Sequence, residues 1–241
     1  MTKPASYSRS GPISRIVMED GKANVMSIGM QNALHAAFDE AERDKTVVIL
    51  TARGKHFSGG FDVNVFAKGS AHENYAMLKA GSELALRILS FPMPVVTACN
   101  GNAFPMGAFL VLSSDYRLAA DGAYRIGLNE VAIGLTVPLF AVELARQRLT
   151  PAYFNRIVNG EMFDPAEAVT AGYFDRVVPA PELNSAAEAA AAMFTKIDYR
   201  SHAATKQRVR GPAIEAVRAA IDSDITLEYA EKRVASRSAA A

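Results

Sequence analysis

The sequence predicts an α/β fold in which parallel strands are joined by helical crossovers. Apolar runs rich in β-branched residues alternate with helical periodicity over about the first three-quarters of the chain. Strands that alternate with helices pair in parallel, because each crossover returns the chain to the same end of the sheet. Past about residue 180 only helical patterns remain. We therefore expect a core over residues 1–180 and a helical region over residues 181–241.

The composition is that of an ordinary globular protein and argues against several classes of function. Of the 241 residues, 50% are hydrophobic and 21% are charged, and the net charge is +1. This balance gives no electrostatic reason to expect nucleic acid or an anionic membrane as a partner. One cysteine excludes an intrachain disulfide, and with four scattered histidines we expect no metal site. The N-terminus lacks the apolar core of a signal peptide, and no apolar run approaches about 18 residues, which predicts a cytoplasmic protein.

The N-terminal part of the chain predicts a hairpin, a helix and a buried strand. Residues 13–18 and 22–27 are β-like runs separated by Glu19-Asp20-Gly21, a turn signal. Residues 30–42 have helical apolar spacing. The continuous apolar run at residues 46–51 is rich in β-branched side chains and predicts a buried strand.

A glycine-rich loop and a long helix come next. Residues 52–61 form the loop, and Asp62 is well placed to cap a helix that begins directly after it. Residues 72–89 predict a long amphipathic helix, which the Pro-containing segment after it terminates. A further buried strand is predicted at residues 94–99.

The central stretch combines a tight turn, a helix and an isolated carboxyl group. An Asn100-Gly101 turn and a small-residue segment precede a helical run at residues 109–113. A strand at residues 116–120 leads to Glu130, whose neighbours are apolar. The start of a helix leaves N–H groups unpaired, so this stretch predicts an anion-binding turn facing a base.

The remainder predicts helices with one short strand. Thr150-Pro151 and Asp164-Pro165 are helix starts with Pro at the first helical position. The other predicted elements are helices over residues 139–149, 165–171, 182–197, 202–209 and 212–234, with a break at Gly211, and a strand over residues 174–178.

The motifs taken together resemble the enoyl-CoA hydratase/isomerase (crotonase) superfamily over nearly the whole chain. Residues 55–62 read KHFSGGFD, which is similar to the Phe-x-(Ala/Gly)-Gly-x-Asp loop of that family. The other matching motifs, in family order and spacing, are Ala23-Asn24, Asn100-Gly101-Asn102-Ala103 through Gly107, Ser114-Asp115-Tyr116-Arg117, Glu130-Val131-x-x-Gly134-Leu135, Asp164-Pro165-x-Glu167-Ala168, Ala171-Gly172 and Thr205-Lys206.

The resemblance implies a fold, a substrate and a set of site residues. The fold is a spiral of ββα turns with a C-terminal helical region used for trimer contacts, giving a homotrimer or a dimer of trimers. The substrate is an acyl-CoA thioester, so coenzyme A enters with the substrate and no separate cofactor is expected. Its thioester oxygen would sit between the backbone N–H groups of Phe61 and Met106. The implied substrate-binding residues are Ala23, Ser58, Gly59, Asp62, Val63, Phe104, Gly107, Phe109, Asn129 and Leu135.

The family's reactions differ mainly in the acid/base residues. Hydratases carry two glutamates that position and split a water; the first corresponds to Phe109 and the second to Glu130. Phe109 cannot hold water or move a proton. Residues 125–130 look closest to mitochondrial-type Δ3,Δ2-enoyl-CoA isomerases, in which a single glutamate takes a proton from C2 and returns it at C4. We therefore favour an isomerase, with Glu130 as a base whose pKa is raised by its apolar surroundings.

Two alternatives remain open at this point. One is an enoyl-CoA hydratase, and the other is a homologue that binds acyl-CoA or a protein partner without turnover. A rigid alignment from Gly107 would place Asn129, not Glu130, at the catalytic position. The Glu-Val-x-x-Gly-Leu spacing instead favours Glu130, with one extra residue in the loop 120–123. Pro105 has no N–H, so the second donor must come from Met106 itself.

Several other residues receive structural interpretations. Asp115 is expected to partner a nearby donor, and Cys99 to be buried and inert. Lys206, Arg208 and Arg210 are expected to form a solvated basic helix face, with contact to a coenzyme A phosphate as the alternative.

Overall fold

A computed structural model describes residues 3–239, which form an α/β fold with two sheets. The strands are β1 (Ala5–Ser10), β2 (Ile13–Met18), β3 (Val47–Ala52), β4 (His56–Ser58), β5 (Val95–Cys99), β6 (Asn102–Ala103), β7 (Tyr116–Ala120), β8 (Ile126–Gly127), β9 (Met162–Phe163) and β10 (Arg176–Val178). The α-helices are α1 (Ile28–Asp44), α2 (Val63–Lys68), α3 (Ala71–Ser90), α4 (Pro105–Ser113), α5 (Leu139–Arg146), α6 (Pro151–Phe154), α7 (Pro165–Ala171), α8 (Leu183–Phe194), α9 (Tyr199–Asp224) and α10 (Leu227–Ala239). Short 3₁₀ helices span Val131–Ile133, Asn155–Asn159 and Ala180–Glu182.

The two sheets are built from repeated turns of the chain. The larger sheet has the order β1-β2-β3-β5-β7-β10, and the smaller one the order β4-β6-β8-β9. Strands β3, β5 and β7 each precede a short strand of the smaller sheet, so successive turns stack on one another. Pairing is parallel from β2 to β10, and only the β1–β2 hairpin of the larger sheet is antiparallel. The predicted α/β class with crossover connections is confirmed.

The N-terminal hairpin lies earlier in the chain than predicted. Strand β1 pairs with β2 through a turn at Gly11, whereas residues 22–27 form a loop and not a strand. The Asp20 carboxylate organises this loop by accepting hydrogen bonds from the backbone N–H groups of Asn24 and Val25 at 2.8 and 2.9 Å. Asn24 has φ of +51°, a left-handed conformation that interrupts a strand.

Helices α2 and α3 begin with side-chain caps, whereas Thr150 makes no capping hydrogen bond at the start of α6. The Asp62 side chain accepts from the Asn64 N–H at 2.9 Å, which confirms it as the cap of α2. Ser70 and Glu73 form a reciprocal capping box at the start of α3. Helix α4 begins at Pro105, earlier than the predicted residue 109, because proline at the first helical position needs no hydrogen-bond acceptor.

The predicted break at Gly211 does not occur, and α9 runs through Pro212. The missing Cβ of Gly211 removes the clash that a residue before proline normally makes in a helix. Pro212 and Arg208 are both exposed, so water can satisfy the carbonyl that the proline leaves without a donor. The helical region instead breaks between α9 and α10.

A buried ion-pair cluster fixes α9 to the larger sheet. Lys206 Nζ and Arg210 lie 2.8 and 3.0 Å from the Asp115 carboxylate, which also accepts the Val95 N–H at 2.8 Å. The Lys206 and Asp115 side chains are 4% and 9% exposed. Burial lowers the pKa of Lys206, and Asp115 opposes that shift. The expectation of a solvated basic face is therefore wrong for Lys206 and Arg210, and only Arg208 is exposed. The structural role expected for Asp115 is confirmed.

The C-terminal helices pack against the rest of the molecule. Helix α8 contacts β3, β5 and β7, while α9 contacts α3 and α5. Buried residues of α8 and α9 belong to the same apolar core as the strands. The division at residue 180 stays a prediction.

Cys99 is fully buried, its thiol donates to Gly101 O, and burial raises its pKa to about 12, as expected for an inert cysteine. Among the described residues, no helix is long and apolar enough to cross a membrane.

Candidate active site

A cavity of about 260 Å³ lies between the glycine-rich loop, α2, α3 and the segment around Glu130. Its wall is apolar apart from a few polar groups. The lining residues are Gly59, Gly60, Phe61, Val63, Phe66, Leu78, Phe104, Pro105, Asn129, Glu130, Ile133, Leu135, Thr136 and Pro138. Glu130 is the one ionisable side chain among these described lining residues. Such a cavity suits an apolar ligand with one reactive polar centre.

The glycine-rich loop is held from behind by the loop that comes after β2. The Gly59 N–H donates to Ala23 O at 2.7 Å, and the Ser58 hydroxyl donates to Asn24 O at 2.8 Å. Ala23 and Ser58 therefore support the wall and are not part of it. The match of Ala23-Asn24 to a family motif thus has a structural reason in this chain.

The same support fixes the direction of the Phe61 N–H. Met26 and Phe61 form a parallel bridge in which the Met26 N–H donates to Gly60 O at 2.8 Å. In this pairing Met26 donates to a neighbour of Phe61 and not to Phe61 itself, so the Phe61 N–H points to the opposite side. Phe61 itself lines the cavity.

The start of α4 supplies a second group of unpaired donors. The first helical hydrogen bond runs from the Ala108 N–H to Phe104 O at 3.1 Å, and no side chain caps the helix. The Met106 N–H therefore lacks an intrahelical acceptor. Met106 as a whole is fully buried and does not itself line the cavity, whereas its neighbours Phe104 and Pro105 do. No protein acceptor is found for the Phe61 or Met106 N–H within residues 3–239.

Gly107 allows α4 to approach the glycine-rich loop. A Cβ at position 107 would lie 2.8 Å from the Ser58 Cβ, which is too close for any other residue without movement. A Cβ at Gly60 would lie 3.6 Å from the Phe104 Cβ, so the two segments are in contact beside the cavity. The two backbone segments that carry the candidate donors consequently adjoin each other, and both segments contribute residues to the cavity wall.

Glu130 is a buried carboxyl group at the start of a 3₁₀ turn. It is 5% exposed, and its Oε2 atom has no hydrogen-bond partner in the described structure. Burial raises its pKa to about 7, against a small lowering by its own backbone N–H. Its carbonyl oxygen accepts from the Ile133 and Leu135 N–H groups at 3.0 and 2.8 Å, which fixes the turn. The predicted rise in the Glu130 pKa is confirmed.

Tyr173 is a neighbour of Glu130 that the sequence did not indicate. It is fully buried, and its hydroxyl lacks a hydrogen-bond partner among the described residues. Burial raises the pKa of Tyr173, and the charge of Glu130 raises it further. The Tyr173 ring lies 5.9 Å from that of Phe163, whose strand β9 pairs with β8 just before Glu130. This tertiary pairing places Phe163, and with it Tyr173, near the segment that carries Glu130.

The structure brings about half of the predicted site residues into the cavity wall. Those that line it are Gly59, Phe61, Val63, Phe104, Asn129, Glu130 and Leu135. Those placed elsewhere are Ala23 and Ser58 behind the loop, Asp62 at the cap of α2, and Met106, Gly107 and Phe109 inside α4. Substrate contact by the second set stays a prediction.

Phe66, Leu78, Thr136 and four other lining residues were missed. Five of the seven come from α2, α3 and the segment after Glu130, whose paths depend on tertiary packing, while Gly60 and Pro105 belong to the glycine-rich loop and the start of α4. The apolar face of the long helix was a visible signal for Leu78, but it did not distinguish a cavity wall from the core. The missed set is Gly60, Phe66, Leu78, Pro105, Ile133, Thr136 and Pro138.

This arrangement can stabilise a negative charge and move a proton beside it. Unpaired backbone donors stabilise a developing oxyanion, and one such donor is typically worth roughly 3–4 kcal/mol in the barrier. A carboxyl group with a pKa near working pH serves as a base in one step and an acid in the next.

Comparison with known proteins places the chain among acyl-CoA enzymes. The family described as Enoyl-CoA hydratase/isomerase matches residues 8–239. Human mitochondrial enoyl-CoA delta isomerase 1 is 29% identical over 207 residues, covering 84% of this chain and 68% of the human one. A putative enoyl-CoA hydratase of Thermus thermophilus is 32% identical over 203 residues, covering 82% and 80% of the two chains.

A solved structure extends the likeness to three dimensions. A Mycobacterium tuberculosis protein, described as an enoyl-CoA isomerase in one structure and as a probable enoyl-CoA hydratase in another, is similar in fold. Its apo structure superimposes with a TM-score of 0.88 at 42% identity, covering 92% of this chain and 97% of that one. The expected crotonase-like spiral is confirmed, whereas trimer contact by the helical region stays a prediction. The chain belongs to the enoyl-CoA hydratase/isomerase family.

Proposed function

We propose that this chain is an enoyl-CoA isomerase that moves a double bond from C3 to C2 by a 1,3-proton transfer. The observation that carries the proposal is the buried Glu130 carboxyl group, the one ionisable side chain in the described cavity wall. The thioester oxygen would accept hydrogen bonds from the Phe61 and Met106 N–H groups. Glu130 would take the proton from C2 and return it at C4.

The electrostatics of Glu130 support both halves of this transfer. A pKa of about 7 leaves a large ionised fraction near neutral pH, so the carboxylate can accept a proton. The same raised pKa makes the protonated form a usable acid for the return step. Because Oε2 has no partner among the described residues, it is free to reach the substrate carbon.

The position of Phe109 supports an isomerase over a hydratase. Phe109 is fully buried within α4, and its ring packs edge-on against Phe140 at 5.2 Å between centroids. It does not line the cavity, so the described wall offers no second acid/base group opposite Glu130. A shift of a double bond needs no water, and an apolar wall helps to exclude it.

We propose an acyl-CoA thioester as the partner, with coenzyme A as part of the substrate and no further cofactor. A cytoplasmic location and a homotrimeric or hexameric assembly are also proposed. An apolar groove of about 590 Å³ beside the site, lined by Val131, Val142 and Val158, is consistent with a surface that an assembly covers.

The test is to supply a 3-enoyl-CoA and a 2-enoyl-CoA in parallel to the wild type and to Glu130→Gln. We expect the wild type to convert the 3-enoyl substrate to the conjugated thioester. The variant should be slower by about 10²–10⁴-fold, the usual contribution of a general base. Glu188→Gln, at a largely exposed glutamate that pairs with Arg15, is the matched control and should keep full activity.

Three outcomes would contradict the proposal in different ways. Hydration of the 2-enoyl substrate at a rate above that of isomerisation would assign a hydratase. Activity that survives in Glu130→Gln would show that another group is the base. Binding of acyl-CoA by calorimetry, without turnover of either substrate, would indicate the non-catalytic homologue or a different acyl group.

A further inference from the structure

We propose that Gly81, in the middle of α3, is a positioning residue for the Phe61 N–H. This inference rests on the proposed function, in which that N–H holds the thioester oxygen. A Cβ built on Gly81 would lie 2.5 Å from Cε1 and 2.8 Å from Cζ of Phe61. The ring of Phe61 therefore lies directly against the bare backbone of α3.

The conformation of Gly81 does not require glycine. It lies inside a regular α-helix and does not have a left-handed φ, so alanine would fit the helix backbone and favour it. An alanine would not fit against the neighbouring ring. The glycine is thus explained by contact with Phe61 and not by the needs of the helix.

Two neighbouring groups restrict how the ring can move away from an added methyl group, although Phe61 also lines the cavity. On another side it packs edge-on against Phe66, with 5.8 Å between centroids. The Gln31 amide lies 3.3 Å from the same Cβ position and is fixed by its donation to Met26 O at 2.9 Å. Phe61 as a whole is 9% exposed.

Movement of the ring is therefore coupled to movement of the donor. The Met26 carbonyl accepts from Gln31, and the Met26 N–H donates to Gly60 O at 2.8 Å. Ring and backbone of Phe61 are thus held by one connected set of contacts, and the proposal is that a methyl group at 81 shifts the Phe61 backbone together with the ring. An oxyanion donor must lie 2.7–3.1 Å from the oxygen, and a displacement of about 1 Å can cost roughly 100-fold in rate.

The experiment compares Gly81→Ala, Phe61→Leu and the double variant with the wild type. Phe61→Leu keeps the backbone N–H and removes the two ring atoms that the methyl group would strike. We expect Gly81→Ala to lower kcat by about 100-fold with little change in KM, since the defect lies in the transition state. The double variant should regain at least about tenfold over Gly81→Ala. Gly29→Ala, at an exposed position of α1 where the methyl lies 3.8 Å from its nearest contact, should leave kcat unchanged.

Three results would overturn the positioning role. The first is an unchanged kcat in Gly81→Ala. The second is a double variant in which the two losses simply multiply. The third is a loss that grows with acyl length and vanishes for short substrates, which would make Gly81 a determinant of pocket shape.

If Gly81→Ala does not fold, Phe61→Leu is compared with the double variant. We then expect equal kcat values, and a tenfold difference would overturn the proposal. An inactive wild type, by contrast, would contradict the proposed function itself.

Discussion

At the scale of single residues, the burial of Glu130 links proton transfer to stability. The carboxyl group is nearly inaccessible, and no donor of the described residues reaches its Oε2 atom. Water would stabilise the ionised form far better than this apolar wall does. The resulting pKa of about 7 brings the group into the range in which small changes of pH alter its charge.

The proposed base should titrate visibly in the rate. Only the ionised carboxylate can remove the C2 proton, so kcat/KM for a 3-enoyl-CoA should rise about tenfold per pH unit below about pH 7 and level off above it. Initial rates between pH 5 and 9 with a saturable substrate measure the profile. A plateau that extends down to about pH 5 would contradict a base with a raised pKa.

The same group should make the fold weaker as the pH rises. Between pH 4.5 and about 7 the folded chain retains a proton that the unfolded chain has released, so stability is lost through this window as pH increases. The loss at pH 8 amounts to about 3 kcal/mol in the free energy of unfolding. Glutamine does not titrate, so Glu130→Gln should lack this loss. Urea unfolding of both proteins at pH 5 and pH 8 gives the comparison. Parallel pH dependence of the two proteins would show that Glu130 titrates normally.

At the scale of secondary-structure elements, attachment of α9 depends on a buried charge cluster. Lys206 reaches across to the Phe91 carbonyl at 2.6 Å as well as to Asp115. Removing one partner of a buried pair leaves the other charge without compensation, which is more costly than never having buried the pair.

Lys206→Met should therefore destabilise the protein by about 1.5–3 kcal/mol, the usual contribution of hydrogen bonds to charged groups, because Asp115 keeps a second partner. The methionine keeps the apolar stem but leaves Asp115 with Arg210 as its one remaining cation among the described contacts. Chemical denaturation measures the difference. Lys232→Met is the control, because Lys232 and its partner Glu228 are both largely exposed and no measurable change is expected. Equal stability of the two variants would show that the buried cluster does not hold α9 in place.

The strength of the local signal decided which elements the sequence predicted. Strand β3 is fully buried and rich in β-branched residues, and α3 is a long amphipathic helix that ends before a Pro-containing segment, so both were located within one or two residues. Strands β4, β6, β8 and β9 are two or three residues long. So short a strand has no measurable periodicity and exists only because the neighbouring turn of the chain is beside it.

At the scale of the whole molecule, some parts of the candidate site follow from local sequence motifs and others depend on tertiary packing. The backbone donors at Phe61 and Met106 belong to contiguous motifs and were recognisable by resemblance. Leu78 reaches the cavity, and Tyr173 the surroundings of Glu130, through packing of distant segments, which no local pattern specifies. At Pro212 the error is of the opposite kind, because the sequence predicted a helix break that the structure does not have. A Gly-Pro pair usually ends a helix, but here it is accommodated on a solvent-facing side of α9.

The proposed assembly predicts a simple mass. Sedimentation equilibrium should give three times the 25.8 kDa of the chain, or six times if trimers pair. The apolar groove beside the site would then be protected from solvent in hydrogen exchange. A mass of one or two chains at micromolar concentration would contradict a trimer.

The burial of Cys99 has a practical consequence. Because the chain has one cysteine and the folded state encloses it, a thiol-reactive dye can label a molecule only after its central sheet has opened. The rate of labelling thus measures how often the folded molecule opens globally. The measurement needs neither denaturant nor an engineered probe. This thiol plays no part in the proposed chemistry, and it therefore serves as a native probe of the unfolding rate.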